Sequence, residues 1–313
     1  MKILITGGTG FIGKALRKEL IFNNHELTIL SRYKREGSEK LKFISWHWKH
    51  PKDLTEIIDG MDIVINLAGE SVAGKKWTPE QKEKLRRSRI ETTKAIVEAI
   101  NKSTKKPKKL ISASAVGIYG DRKDEKIIED SILGSDFLAS ICKDWELEAR
   151  KVETCRGTSL VILRFGIVLG ANGGALEKIL PPFKMFIGGP LGAGKQYMSW
   201  IALDDVAGII KYAIDNDHIS GIFNATAPNP VTNKEFSNVL GKILNRPSFM
   251  PVPAFALRFL MGEMADIVLT GQKVLPERVQ AAGYEFKYEK LRDALKSILK
   301  ESAAGSPSLS RTI

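Results

Sequence analysis

An α/β fold, a doubly wound parallel sheet with a smaller and mostly helical C-terminal region, is the class this sequence predicts. Three observations carry it. Through the first 225 residues, short apolar runs alternate with amphipathic stretches, the rhythm of parallel strands joined by crossover helices. The first run passes without a break into Gly7-Gly8-Thr9-Gly10-Phe11-Ile12-Gly13 and then into an amphipathic stretch over residues 14–20. From Pro228-Asn229-Pro230 onward the alternation stops, and prolines at 247, 251 and 253 punctuate a chain of helical pattern.

Taken in order, the strands read at residues 2–6, 26–30, 43–45, 63–66, 109–112, 160–165 and 221–224, each rich in Ile, Val, Leu or Phe. Thr78-Pro79-Glu80-Gln81 is a helix start, with an N-cap threonine, proline at the first helical position and glutamine at the third. Ile90, Val97 and Ile100 then mark the face of that helix that packs on the sheet. Thr232-Asn233-Lys234-Glu235 is a capping box opening a helix through Leu244. A mostly helical tail follows over 254–299, and the Ser/Gly/Pro-rich stretch 302–313 is expected to be disordered. The expected division is a dinucleotide-binding domain over 1–225, a smaller annex over 226–300 that closes a substrate cleft, and a disordered tail over 301–313.

Strand, glycine turn and helix in this order form the Rossmann-type arrangement that lays a dinucleotide pyrophosphate on backbone N–H groups at a helix N-terminus. Gly7, Thr9, Gly10, Phe11, Ile12 and Gly13 are therefore candidate cofactor residues. In NAD-binding sheets an acidic residue at the end of the second strand takes the ribose hydroxyls. Here that strand runs into Ser31-Arg32-Tyr33-Lys34-Arg35, with no acid. A carboxylate would repel a 2′-phosphate, whereas Arg32 can pair with it bidentately and Ser31 can donate to it. NADP(H) is the expected cofactor.

Composition narrows the remaining classes. The chain has 313 residues, 43% of them apolar and 27% charged, values ordinary for a soluble globular protein. No apolar run has the length of a membrane span, and the chain starts on a strand pattern, so no membrane partner and a cytoplasmic setting are expected. The net charge of +12 is dispersed beside acidic residues and without aromatic interleaving, which argues against nucleic acid. Cys142 and Cys155 have no metal-type spacing, and no metal is expected. None of His25, His47, His50 and His218 falls in a motif; they read as surface residues, and a Ser/His/Asp hydrolase gains no support.

Several longer strings resemble the extended short-chain dehydrogenase/reductases of the epimerase/dehydratase group. Gly7 to Gly13 is similar to that group's cofactor turn, Asn66-Leu67-Ala68-Gly69 to its motif after the fourth strand, and Ser112-Ala-Ser-Ala-Val-Gly-Ile-Tyr119-Gly120 to its fifth-strand segment. Arg164-Phe-Gly-Ile-Val-Leu-Gly170, Gly188-Gly-Pro-Leu-Gly192, Leu203-Asp-Asp-Val206, Pro251-Val-Pro253 and Gly271-Gln-Lys-Val-Leu-Pro276 narrow the resemblance to an atypical subfamily called simply epimerase family protein. The resemblance implies that Leu67, Ala68 and Gly69 line the cofactor, and that a homodimer through helices of the sheet is the usual assembly.

It also implies a Ser/Thr, a Tyr and a Lys four residues after that Tyr, the tyrosine acting as general acid/base and the lysine holding the nicotinamide ribose. Lys143 fits the lysine position. Four residues before it stands Ala139, and the usual hydroxyl position is Ala115. Ser114 and Tyr119 become the substitute candidates beside Lys143. Glu70 is a candidate carboxylate at the nicotinamide end. Gln196 and Trp200 are candidate substrate-side residues, with core burial the alternative for Trp200, and the glycines from Gly188 to Gly194 are flexible enough for a lid. Two readings stay open: an oxidoreductase or epimerase-like enzyme acting on a small carbonyl or sugar-like molecule, and a non-catalytic NADPH-binding protein that reports to a partner.

Overall fold

The computed structural model describes residues 1–49, 53–154 and 156–304. Seven parallel strands form the central sheet: β1 (Lys2–Thr6), β2 (Glu26–Ser31), β3 (Leu41–Ser45), β4 (Ile63–Asn66), β5 (Lys109–Ala115), β6 (Ser159–Phe165) and β7 (Gly221–Ala225). Their spatial order is β7-β6-β5-β4-β1-β2-β3. The chain winds outward from β1 in one direction to β3, then returns to β4 and winds the other way. The reversal beside β1 is the switch point at which such sheets take ligands. All seven predicted strands are present, two with the expected ends and five with an end that differs by one to three residues.

Helices cover both faces. On one side, α1 (Phe11–Phe22) and α4 (Leu203–Asp215) bury Leu16, Leu20, Val206, Ile209 and Ile210 against Ile3, Ile5 and Ile29. The other face is covered by α2 (Pro79–Lys102) and α3 (Phe137–Arg150), which contribute Ile96, Ile100 and Ala149 around Leu4, Val64 and Leu110. At about 25 cal/mol per Å² of apolar surface, these two layers supply the main drive to fold. Thr78 caps α2 by accepting from the Gln81 N–H at 3.2 Å. Val97 and Ile100 are buried as their spacing predicts, while Ile90 is half-buried.

After β7 come α5 (Asn233–Leu244), opened by the predicted Thr232/Glu235 capping box, and then α6 (Ala254–Met261) and α7 (Leu291–Ala304). α7 runs on to Ala304, past residue 301 where the tail was expected to begin; residues 305–313 lie outside the described residues, as do His50 and Cys155. The C-terminal region is not helical throughout. Its strand Lys273–Val274 pairs in parallel with Lys126–Ile127 of the sheet region. Two buried carboxylates complete the seam. Asp205 accepts from the Lys287 and Tyr288 backbone N–H groups at 2.7 and 3.1 Å and from the Tyr284 hydroxyl at 3.1 Å. Glu129 accepts from the backbone N–H groups of Asn224 and Arg278 at 2.9 and 3.3 Å. Burial pushes the pKa of both carboxyls up from the usual carboxylate range. Among the described residues no helix is long and apolar enough to cross a membrane.

Candidate cofactor and active site

The glycine turn is built by close approach. Gly7 has φ +71°, and a Cβ there would stand 2.5 Å from the Leu67 carbonyl oxygen. A Cβ on Gly13 would meet the Gly7 oxygen at 2.4 Å, so α1 can come down onto the turn only without a side chain at that position. The Gly10 N–H donates to Gly7 O at 2.9 Å and closes the turn, leaving the first N–H groups of α1 directed to the mouth of the sheet.

Beside this turn lies a cavity of about 180 Å³. Gly7, Thr9 and Gly10 form one wall, Ser31 and Arg32 the second, and Leu67, Ala68, Gly69 and Glu70 the third. Three separate stretches of sequence-predicted residues are thus brought together. A buried chain of hydrogen bonds holds the third wall in place. The Thr6 hydroxyl donates to the Asn66 side-chain oxygen at 2.6 Å, and the Asn66 amide donates to Thr93 Oγ1 at 2.8 Å. Trp145 Nε1 donates to the same Thr93 oxygen at 2.9 Å. Phe11, Ile12 and Gly13 do not line the cavity. The Phe11 ring packs instead on the glycine turn after residue 170, where a Cβ on Gly173 would lie 2.5 Å from it.

Trp46, His47 and Trp48 also line the cavity, and sequence reasoning missed them. His47 is therefore part of the pocket and His25 is buried, whereas only surface positions were expected for them; His218 is exposed. The aromatic run after β3 is the signal that could have found these wall residues. The electrostatics at the mouth are mixed. Arg32, 60% exposed at its side chain, stands 3.9 Å from the Glu70 carboxylate, which Lys84 also holds at 3.0 Å. Glu70 thus sits in the cavity wall beside Arg32. Ser88 Oγ accepts from its backbone N–H at 3.1 Å, and Arg89 donates to its carbonyl at 3.0 Å. The two cations to one carboxylate leave this wall net positive.

The catalytic candidates fare differently. Lys143 is half-buried on α3 and makes no hydrogen bond or ion pair among the described residues. Ser114 and Tyr119 are in the interior. The Ser114 hydroxyl donates to Glu146 Oε1 at 2.7 Å, the Tyr119 hydroxyl donates to Asn224 Oδ1 at 2.7 Å, and Tyr119 accepts from Arg164 at 2.7 Å. Tyr119 has no exposed surface. Burial raises its pKa, outweighing the Arg164 charge and hydrogen bond that lower it. Neither hydroxyl is free to serve a ligand, because a buried Arg164–Glu146 pair needs both as partners. Ala139 is fully buried, and Ala115 has no functional group to offer.

Nor are the substrate-side candidates open. Trp200 has no exposed surface and donates through Nε1 to Asn229 O at 2.9 Å, so it is core. Gln196 spends its amide on Leu191 O and Val268 O, at 3.0 and 2.7 Å, tying the glycine loop to the C-terminal region. That loop is packed: a Cβ on Gly189 would lie 2.0 Å from Met250 O, and Leu191 bridges to Val252.

The sheet order, the glycine turn and its walls place this chain among known proteins. The model of the NAD dependent epimerase/dehydratase family matches residues 3–225. The chain belongs to that family. A second model, a domain of unknown function (DUF1731), matches residues 252–298 of this epimerase/dehydratase family member. Epimerase family protein SDR39U1 homolog, chloroplastic, of Arabidopsis thaliana is 41% identical over 305 residues, covering 96% of this chain and 87% of that protein. Epimerase family protein YfhF of Bacillus subtilis is 39% identical over 303 residues, covering 96% and 99%. Among solved structures, human epimerase family protein SDR39U1 (isoform 2), crystallised with NADPH, superposes with a TM-score of 0.88 at 34% identity, covering 96% of this chain and 99% of that one.

Proposed function

We propose that this chain binds NADP(H) and acts as an oxidoreductase or epimerase-type enzyme on a small carbonyl or sugar-like molecule. The end of β2 carries the reading: Ser31 and Arg32 stand where a ribose-binding carboxylate would exclude a 2′-phosphate, on a wall of net positive charge. The tight turn at Gly7 and Gly13, closed to any Cβ by neighbouring backbone, brings the N-terminus of α1 to the mouth of the sheet and so fits a pyrophosphate. The human relative solved with NADPH supports the same choice.

When bound, the cofactor supplies a hydride for a carbonyl carbon. The turn from Gly7 to Gly10 offers backbone N–H groups to the phosphates, Arg32 pairs with the 2′-phosphate, and the walls from Leu67 to Gly69 and from Trp46 to Trp48 exclude water from the adenosine half. Lys143 is the side chain available to hold the nicotinamide ribose and to give a proton to a substrate oxygen. A homodimer through the helices of the sheet is the assembly we expect.

A second reading, a non-catalytic NADPH-binding protein acting through a partner, is favoured by one observation: both substitute hydroxyls, Ser114 and Tyr119, are locked in a buried network. A panel of carbonyl compounds assayed for NADPH oxidation separates the two. Turnover that disappears in Lys143→Ala supports the enzyme. Tight NADPH binding with no turnover across the panel supports the sensor, and no binding of NADPH or NADH removes both.

A further inference from the structure

The exposed large apolar side chains of this chain are concentrated in one place. Of fourteen among the described residues, eight lie in two segments, each of the eight more than half exposed. One segment is Met185-Phe186-Ile187, which follows the helix Leu176–Lys184. The other is residues 249–260, carrying Phe249 and Met250 and then Phe255, Phe259 and Leu260 on α6. Phe255 and Phe259 are one turn apart and project from one side of α6, while Leu257 is buried and holds the helix down.

The fold sets the two segments side by side. The Gly192 N–H donates to Val252 O at 2.8 Å, and the Val252 N–H donates to Pro190 O at 2.9 Å. The Arg246 guanidinium lies 4.2 Å from the centre of the Phe186 ring, so the segments form one continuous face. With roughly 200 Å² for each fully exposed side chain of this size, the face shows about 1,000 Å², against ~300–600 Å² for the largest apolar patch of an ordinary monomer. An area of that size in water calls for a partner.

Charge selects the partner. Neither residues 178–203 nor residues 236–262 contain a single Asp or Glu, yet the two stretches hold six lysines and arginines. Lys184 directly precedes Met185, and Lys242 stands one turn before Arg246; both lysines are exposed. A second copy docked here about a two-fold axis would set these cations against their own kind. Phe255 and Phe259 stand out into solvent, 77% and 87% exposed, as side chains that enter a fluid phase do. We propose that this face is a peripheral docking site for an anionic lipid surface. Phe249, Phe255 and Phe259 enter the boundary between headgroups and acyl chains, and Lys184, Lys242 and Arg246 meet the lipid phosphates. Such a site lies on a bilayer and needs no spanning helix, so the lack of an apolar span, on which no membrane partner was expected, does not oppose it. The inference is independent of the cofactor reading.

The test is co-sedimentation of the full chain with two kinds of vesicle, one of phosphatidylcholine alone and one of phosphatidylcholine and phosphatidylglycerol in equal parts. The chain is expected to sediment with the mixed vesicles only, less so as salt is raised. Phe255→Ser with Phe259→Ser should weaken this binding roughly tenfold or more. Lys184→Gln with Lys242→Gln should weaken it by about tenfold and flatten the salt dependence. Phe22→Ser, at a phenylalanine 83% exposed outside this face, should leave it unchanged. The substituted side chains are exposed, so an unaltered urea midpoint is expected in each variant and separates lost docking from lost folding. Failure of the unaltered chain to sediment with the mixed vesicles at low salt overturns the proposal. So does an equal loss in Phe22→Ser, or binding that survives Phe255→Ser with Phe259→Ser, which would mean bare charge attraction. A chain that runs as a dimer on size exclusion, becomes a monomer in the phenylalanine variant and ignores vesicles would assign the face to a second copy instead.

Discussion

Arg164 grips both carboxylate oxygens of Glu146 in the interior, with Nε and one terminal nitrogen each at 2.8 Å. Burial opposes the guanidinium charge, yet the hydrogen bonds and charges of Glu146 and Tyr119 raise its pKa above the usual arginine value. The pair joins α3 to β6, and both side chains are almost wholly buried. Removing one partner strands the other charge. Glu146→Leu should therefore cost about 3–5 kcal/mol of stability, read as a shift of the urea midpoint. Adding Arg164→Met should restore much of that loss. A single variant within about 1 kcal/mol of the unaltered chain would contradict this account.

Ser114 and Tyr119 should matter for stability and not for proton transfer. Tyr119→Phe removes a donor to Asn224 and an acceptor for Arg164, so a loss of about 1–3 kcal/mol is expected. NADPH affinity and any turnover should stay within about twofold, because a fully buried hydroxyl reaches no ligand. A turnover loss of a hundredfold or more with normal folding would return Tyr119 to the catalytic list.

Cofactor choice should respond in opposite directions at the two ends of the Arg32–Glu70 contact. Arg32→Asp should reverse the NADPH/NADH preference, since a carboxylate takes ribose hydroxyls and repels a 2′-phosphate. Glu70→Gln removes the anion that competes for Arg32 and Lys84. NADPH affinity should rise by up to about fivefold, the range of an exposed ion pair, with little change for NADH. Titration by nicotinamide fluorescence reads both. An unaltered affinity ratio in Arg32→Asp would refute the assignment of the 2′-phosphate site.

Cys142 sets an alkaline limit. Burial pushes its thiol from 9.0 to about 12. In the unfolded chain the thiol ionises first, so the unfolded state binds fewer protons between those values, and stability falls as pH rises from 9 toward 12. The contribution is complete below pH 9. Cys142→Ala should flatten this part of the stability curve, measured by urea titration at pH 8 to 10.5. At pH 8 the folded chain should also leave Cys142 unmodified by iodoacetamide, as peptide mapping would report.

The sheet and its cofactor turn were legible because their signals are local. Alternating apolar runs, glycines too close to carbonyls for any Cβ, and a second strand ending in Ser31-Arg32 all write a three-dimensional demand into adjacent residues. The reaction half was less so. The destinations of Ser114, Tyr119 and Trp200 depend on partners 29 to 105 residues away, Glu146, Asn224 and Asn229, and no periodicity encodes a hydrogen bond of that kind.

The seam between sheet and C-terminal region has a further meaning for inheritance. The two family models stop at 225 and begin again at 252, as if two modules had been joined. Yet Glu129 and Asp205, both in the first module, find partners on Arg278, Tyr284, Lys287 and Tyr288 of the second. A chain ended near residue 250 would strip Asp205 of all these partners and Glu129 of the Arg278 N–H, and would uncover the edge of the strand Lys126–Ile127. The boundary drawn by descent is therefore not a line along which the polypeptide can be cut, and its unfolding should be one cooperative event.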